Sequence, residues 1–154
     1  MRVVSVAGYK GVGKTTLVER LVEALGSHGR VATVKSIHHD VPIDEQATDT
    51  YRHRGAGADT VVGVTPGTTF QIDAVGKDDG ITVFDIVQRL ASADYDFVLV
   101  EGFKGADIPS IRVGDVAEAD LAGPVIATVE ARTDPDIEML VESILALEPW
   151  QEGT

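Results

Sequence analysis

The segment Gly8-Tyr9-Lys10-Gly11-Val12-Gly13-Lys14-Thr15 fits the pattern G-x-x-x-x-G-K-[ST], a spacing that can cradle the phosphates of a nucleotide. A di- or triphosphate needs many N–H donors on a small concave surface, and successive backbone amides supply them where side chains would crowd. Gly8, Gly11 and Gly13 permit such a turn. Lys14 is expected to reach the terminal phosphates and to serve catalysis, and the Thr15 hydroxyl to ligate Mg²⁺. Tyr9, Lys10, Val12 and Thr16 complete the expected nucleotide-binding stretch.

Such a loop works only between a strand and a helix, and the flanking residues predict both. Val3 to Ala7 is an apolar run, and from Thr16 to Leu25 the residues Leu17, Val18, Leu21, Val22 and Leu25 share one face, with Gly26 and Gly29 ending the helix. The helix then begins at the phosphates, with its unpaired amides and positive dipole end facing the anion. Val31 to Val34 reads as a second strand, followed by a long polar loop from Ser36 to Asp49 and a short helix around Thr50 to Ala58. Thr60 to Thr65 and Thr68 to Val75, joined at Pro66-Gly67, read as an antiparallel hairpin excursion from an otherwise parallel sheet. Thr82 can cap a helix that buries Val83, Ile86, Val87 and Leu90. Asp96-Phe97-Val98-Leu99-Val100-Glu101-Gly102, a nearly continuous apolar run ending in an acid, suggests a central parallel strand covered on both faces, and Ile111 to Val113 and Val125 to Val129 read as further strands. Asp134 is expected to cap the last helix, with Pro135 in its first turn, and Trp150 to anchor that helix by packing. This alternation predicts a three-layer α/β P-loop NTPase fold with a mostly parallel sheet and its ligand site at the strands' carboxyl ends.

Glu101 ends the strongest apolar run, where P-loop proteins place a second acid that organises the metal directly or through water; a solvated strand-end carboxylate is the alternative. Asp94 and Asp96 precede that strand and belong at its other end. The His38-His39-Asp40 segment carries types that suit a transition metal, but adjacent residues of an extended chain point opposite ways and no H-x₃-H pair supports a closed site. Its position after the second strand suggests instead that Asp40 or His39 orients attacking water or binds Mg²⁺ indirectly, or that the segment only solvates a loop. Arg52 and Arg54 either meet a second anionic ligand or pair with surface carboxylates. Lys104 falls on a loop at the ligand edge, as a ligand contact or as a solvated lysine.

The chain has 154 residues, 44% of them hydrophobic, enough for one well-buried core and short for two domains, so a single nucleotide-binding domain over 1–154 is expected. A net charge of −12 disfavours nucleic acid and anionic lipid as partners. Asp numbers 15 against 5 Lys, which suggests a surface adapted to high salt. There are no cysteines, so disulfides and thiolate chemistry are excluded. With no signal-like h-region and no segment near the ~20 apolar residues of a spanning helix, a cytoplasmic protein is the expectation.

Taken in order, Gly8 to Thr15, Lys35-Ser36-Ile37-His38-His39-Asp40, the stretch Asp49 to Ala58 and Val100-Glu101-Gly102-Phe103-Lys104 resemble the MobB family of molybdopterin-guanine dinucleotide biosynthesis adaptor proteins. The resemblance runs from the N-terminus to about Val113. It implies a GTP-binding protein with weak GTPase activity, usually a homodimer, that assists a nucleotidyltransferase in attaching GMP to molybdopterin. On that likeness the P-loop holds the GTP phosphates, Thr15 and Glu101 organise Mg²⁺, the His38-His39-Asp40 loop lies beside the nucleotide, and Lys35 and Lys104 fall on family-motif positions; Lys35, His38, Arg52, Arg54 and Lys104 are candidates for a second-ligand or partner site, with molybdopterin as one candidate ligand. The chain departs from the family pattern at Ser36, where a histidine is common, at Gln46-Ala47-Thr48, where Pro-Gly-Lys is usual, and at Ser110, where a basic residue is usual.

Guanine preference is not written in the residues: no Asn/Thr-Lys-x-Asp segment follows a late strand, and Thr133-Asp134 is a candidate for reading the base. A P-loop small-molecule kinase is an alternative, although no arginine-rich lid is present beyond Arg52 and Arg54. A partition-type ATPase is another, but its extra lysine, five residues before the main one, would fall on Tyr9. The apolar residues of the Thr60 to Val75 hairpin are a candidate dimer surface.

Overall fold

A computed structural model describes residues 1–151, which fall into two compact units, Met1–Ser36 with the chain from Val83 onward, and Ile37–Thr82. In the first unit five strands form one parallel sheet: β1 (Arg2–Ala7), β2 (Val31–Lys35), β5 (Phe97–Glu101), β6 (Ser110–Val113) and β7 (Val125–Val129), in the spatial order β2-β5-β1-β6-β7. The intervening β3 (Thr60–Val64) and β4 (Thr69–Asp73) belong to the second unit.

The continuous apolar runs follow from burial on both faces of this sheet. Side chains alternate along a strand, so Val4, Val6 and Leu99 join Ile111 in one core layer, while Val3, Val98 and Val100 join another. Helices α1 (Lys14–Leu25) and α4 (Ile137–Leu145) close the first layer with Leu17, Leu21, Leu25, Leu140 and Ile144. Helix α3 (Val83–Ala91) closes the second with Val83 and Val87. Trp150 packs in this second layer, on the opposite side of the sheet from α4, so it anchors the chain after the last helix rather than the helix itself. At the amino ends of the strands, Asp96 Oδ2 accepts from the Arg30 amide at 2.7 Å, tying the entries to β2 and β5 together as their position before the strand predicts.

The last helix starts later than the sequence suggests. Asp136 is its N-cap, its carboxylate accepting from the Met139 amide at 3.1 Å, whereas Asp134 pairs with Arg20 at 2.6 Å. Both aspartates have capping chemistry; Asp136 caps the helix, and Asp134 is engaged by α1.

In the second unit, Thr48 caps α2 (Asp49–Gly55) by accepting from the Tyr51 amide at 3.2 Å. Strands β3 and β4 pair antiparallel, and the Thr65 hydroxyl accepts from the Thr68 amide at 2.9 Å to close the Pro66-Gly67 turn. The expected hairpin is therefore present, but it forms a sheet of its own instead of extending the parallel one. Among the described residues no helix is long and apolar enough to cross a membrane.

The capping assignment gives a direct test. Asp136→Ala is expected to lower stability by about 1 kcal/mol, and Asp134→Ala, which loses an exposed ion pair, by less than about 0.5 kcal/mol, as measured by urea denaturation.

Candidate functional site

The loop Gly8 to Gly13 leaves the carboxyl end of β1 and delivers the chain to α1. Its shape requires glycine. Gly11 and Gly13 have φ of 82° and 103°, in the left-handed region, and a Cβ on Gly8 would lie against the Val113 carbonyl oxygen of β6. Gly13 is the N-cap of α1 and offers no side chain to the first-turn amides, which leaves them as donors for an anion.

Lys14 folds back over the loop, its Nζ donating to the Tyr9 carbonyl at 2.7 Å. Burial holds its pKa below the usual lysine value; Glu101 opposes that shift, and Lys104 and Lys35 add to it. The Lys104 ammonium sits 4.5 Å from the centroid of the Tyr9 ring, a cation–π contact on the flank of the same loop. Lys104, Lys35 and Lys14 thus converge on one edge of the sheet.

Strand pairing places the acid of this group. Glu101, the last residue of β5, is in register with Val6 of β1 on one side and Lys35 of β2 on the other. The Ser36 amide donates to the Glu101 carbonyl at 2.9 Å, and Gly102 turns away with φ of 96°, where a Cβ would meet Ser36. With its backbone so fixed, the Glu101 carboxylate accepts from the Thr15 hydroxyl at 3.0 Å and pairs with Lys35 at 3.1 Å. A hydroxyl and a carboxylate side by side at the head of this glycine loop form a hard oxygen donor set of a kind that could hold Mg²⁺ together with phosphate oxygens and water. The Lys35 ammonium, 3.3 Å from Thr15 Oγ1, is a cation already seated against both oxygens.

Arg132, in the turn after β7, is a site residue that sequence reasoning missed. Its amide donates to the Val12 carbonyl at 3.1 Å and its Nε to the Gly11 carbonyl at 3.3 Å, so it pins the phosphate loop from outside. It does so from a backbone with φ of 60°, uncommon for a residue other than glycine. The only sequence signal was a lone arginine between a late strand and a helix. Val12, Gly13, Thr16, Arg20, Arg132 and Thr133 line a cavity of about 270 Å³ beside the loop. Of these, Arg20 engages the Asp134 carboxylate, and the Thr133 hydroxyl donates to the Glu130 carbonyl at 2.9 Å.

The remaining candidates lie in the second unit. His38, His39 and Asp40 are exposed and outside any helix or strand. Arg52 lies 3.6 Å from Asp49, one turn away on α2, and Arg54 is half-buried on the same helix. Among the described residues no group of three or more His, Asp or Glu is arranged to hold a metal by itself.

The backbone of the loop makes a measurable demand. Gly13→Ala forces an L side chain into the left-handed region and is expected to cost about 1–2 kcal/mol of stability. Gly55→Ala, at the end of α2 with open space around the added methyl, is expected to be neutral or slightly stabilising in the same denaturation assay.

The family described as molybdopterin guanine dinucleotide synthesis protein B matches residues 3–129. A putative molybdopterin-guanine dinucleotide biosynthesis adapter protein of Methanocaldococcus jannaschii is 39% identical over 115 residues, covering 72% of this chain and 46% of that protein. A probable molybdopterin synthase of Haloferax volcanii is 33% identical over 144 residues, covering 94% of this chain and 48% of that protein. The chain spans about half to three fifths of the length of the curated adapter relatives it matches. A crystal structure of molybdopterin-guanine biosynthesis protein B superposes with a TM-score of 0.73 at 29% identity, covering 94% of this chain and 98% of that one. With the phosphate loop, the Glu101 strand and the sheet between them all inside the matched region, the chain belongs to the MobB family.

Proposed function

We propose that this chain binds GTP with Mg²⁺ at the Gly8–Thr16 loop, hydrolyses it slowly, and acts as a cytoplasmic adapter to a nucleotidyltransferase that attaches GMP to molybdopterin. The observation that carries the nucleotide part is the meeting of Thr15 and Glu101, 3.0 Å apart, at the start of α1. The adapter part rests on family membership and on the adapter relatives.

In this reading the loop amides and the α1 amino terminus hold the phosphates, and Lys14 exchanges its bond to the Tyr9 carbonyl for a phosphate oxygen. Thr15 and Glu101 hold Mg²⁺, which when bound neutralises charge on the terminal phosphates. Asp40 and His39 are proposed, on their sequence position, to orient the attacking water. Turnover of ~10⁻³ s⁻¹ or slower is expected without a group supplied by a partner. Lys35, His38, Arg52, Arg54 and Lys104 remain candidates for a second ligand, molybdopterin among them, or for the partner protein. The exposed Val62 and Val64, which share one face of the hairpin, are the proposed homodimer surface.

Calorimetric titration with GTP, GDP and ATP, in Mg²⁺ and high salt, tests the reading. A preference for the guanine nucleotides is expected, with affinity weakened by about 100-fold or more in Lys14→Ala, the upper end for a charge-assisted contact. Equal or tighter ATP binding would overturn guanine specificity and favour the small-molecule kinase. Undiminished affinity in Lys14→Ala would mean that the phosphates bind elsewhere.

A further inference from the structure

The Glu101 carboxylate is shielded, its side chain only 13% exposed, while the lysine paired with it is 53% exposed. A carboxylate so enclosed is costly without a countercharge, and the register of β2 against β5 supplies one by setting Lys35 opposite Glu101. The Lys35 ammonium does more than neutralise. It lies 3.1 Å from Glu101 Oε1 and 3.3 Å from Thr15 Oγ1, so it occupies the space in front of the same two oxygens that Mg²⁺ would bind.

We propose that Lys35 is a built-in competitor for the divalent cation. Its ammonium stands in for the metal when no nucleotide is bound, holds Thr15 and Glu101 in a ligating pose, and is displaced when the metal arrives. The stand-in is suited to leave. A lysine head on a flexible, half-exposed stem can swing into water at small cost, whereas Glu101 is fixed by backbone bonds on both sides and must accept a new cation in the same place. Lys35 is on this account a positioning residue that sets how much metal the site requires. The inference rests on the proposed Thr15–Glu101 metal site, and it extends that reading to a residue whose role was open.

The test separates the two. Wild type, Lys35→Met, Lys35→Gln and the double variant Lys35→Met/Glu101→Gln are titrated with Mn²⁺ alone, free Mn²⁺ being read by electron paramagnetic resonance. Carboxylate and hydroxyl oxygens suit Mn²⁺ as they suit Mg²⁺. Both single variants are expected to bind one Mn²⁺ about fivefold more tightly than wild type, the upper scale of an ion pair with one partner in water, and the double variant to lose that gain. Unchanged or weaker Mn²⁺ binding in the single variants, or a gain that survives Glu101→Gln, would overturn the proposal. Binding of a fluorescent GTP analogue is measured in parallel; its failure in wild type would remove the nucleotide reading, while the Mn²⁺ result would still decide the role of Lys35.

Discussion

Everything at the site depends on the double-sided burial of β5. Phe97 to Val100 are enclosed on both faces of the sheet, and Glu101 is the first residue of the strand that can reach polar partners. Because parallel pairing to β1 and β2 fixes its height, Glu101 arrives level with the start of the phosphate loop and with Lys35. A slip of one residue in that register would turn an inward valine toward the loop and bury the carboxylate. The apolar packing of the strand is thus what aims the acid at Thr15.

Charge distribution reinforces this arrangement. The chain carries a net charge of −12, yet of its five lysines Lys14, Lys35 and Lys104 converge on the loop and Lys10 belongs to the loop itself. Each of the three converging lysines is held by a group of the chain itself: a carbonyl for Lys14, a carboxylate for Lys35, an aromatic ring for Lys104. Those contacts are individually weak enough to exchange, and together they keep a concentrated positive edge on an otherwise acidic molecule. Like charges so close repel, which is one reason that Glu101 among them matters as much to the ammonium groups as they do to it.

Much of this was legible in the sequence because it is local. Strand, glycine loop and helix follow one another within the first 25 residues, and the apolar run ending in Glu101 carries its own signal. What escaped is non-local. Arg132 reaches the loop across more than a hundred residues of chain, and no local pattern marks it. Asp134 and Asp136 have the same capping chemistry, and their different partners, Arg20 on another helix and the Met139 amide, emerged only from the fold. Lys35 lay on a recognisable motif, but its partner emerged only from strand register. The hairpin was visible from its turn, whereas its separation from the parallel sheet depends on which strands find partners, a matter of tertiary packing.

The central claim is that the Gly8–Thr16 loop, with Glu101 beside it, receives the nucleotide phosphates. Amide-resolved NMR during titration with GDP and Mg²⁺ tests this most directly. The account predicts the largest shifts at Gly11, Gly13, Lys14 and Thr15, accompanied by Glu101 and by Arg132 behind the loop. Saturable binding that leaves those amides unmoved and shifts residues elsewhere would contradict it.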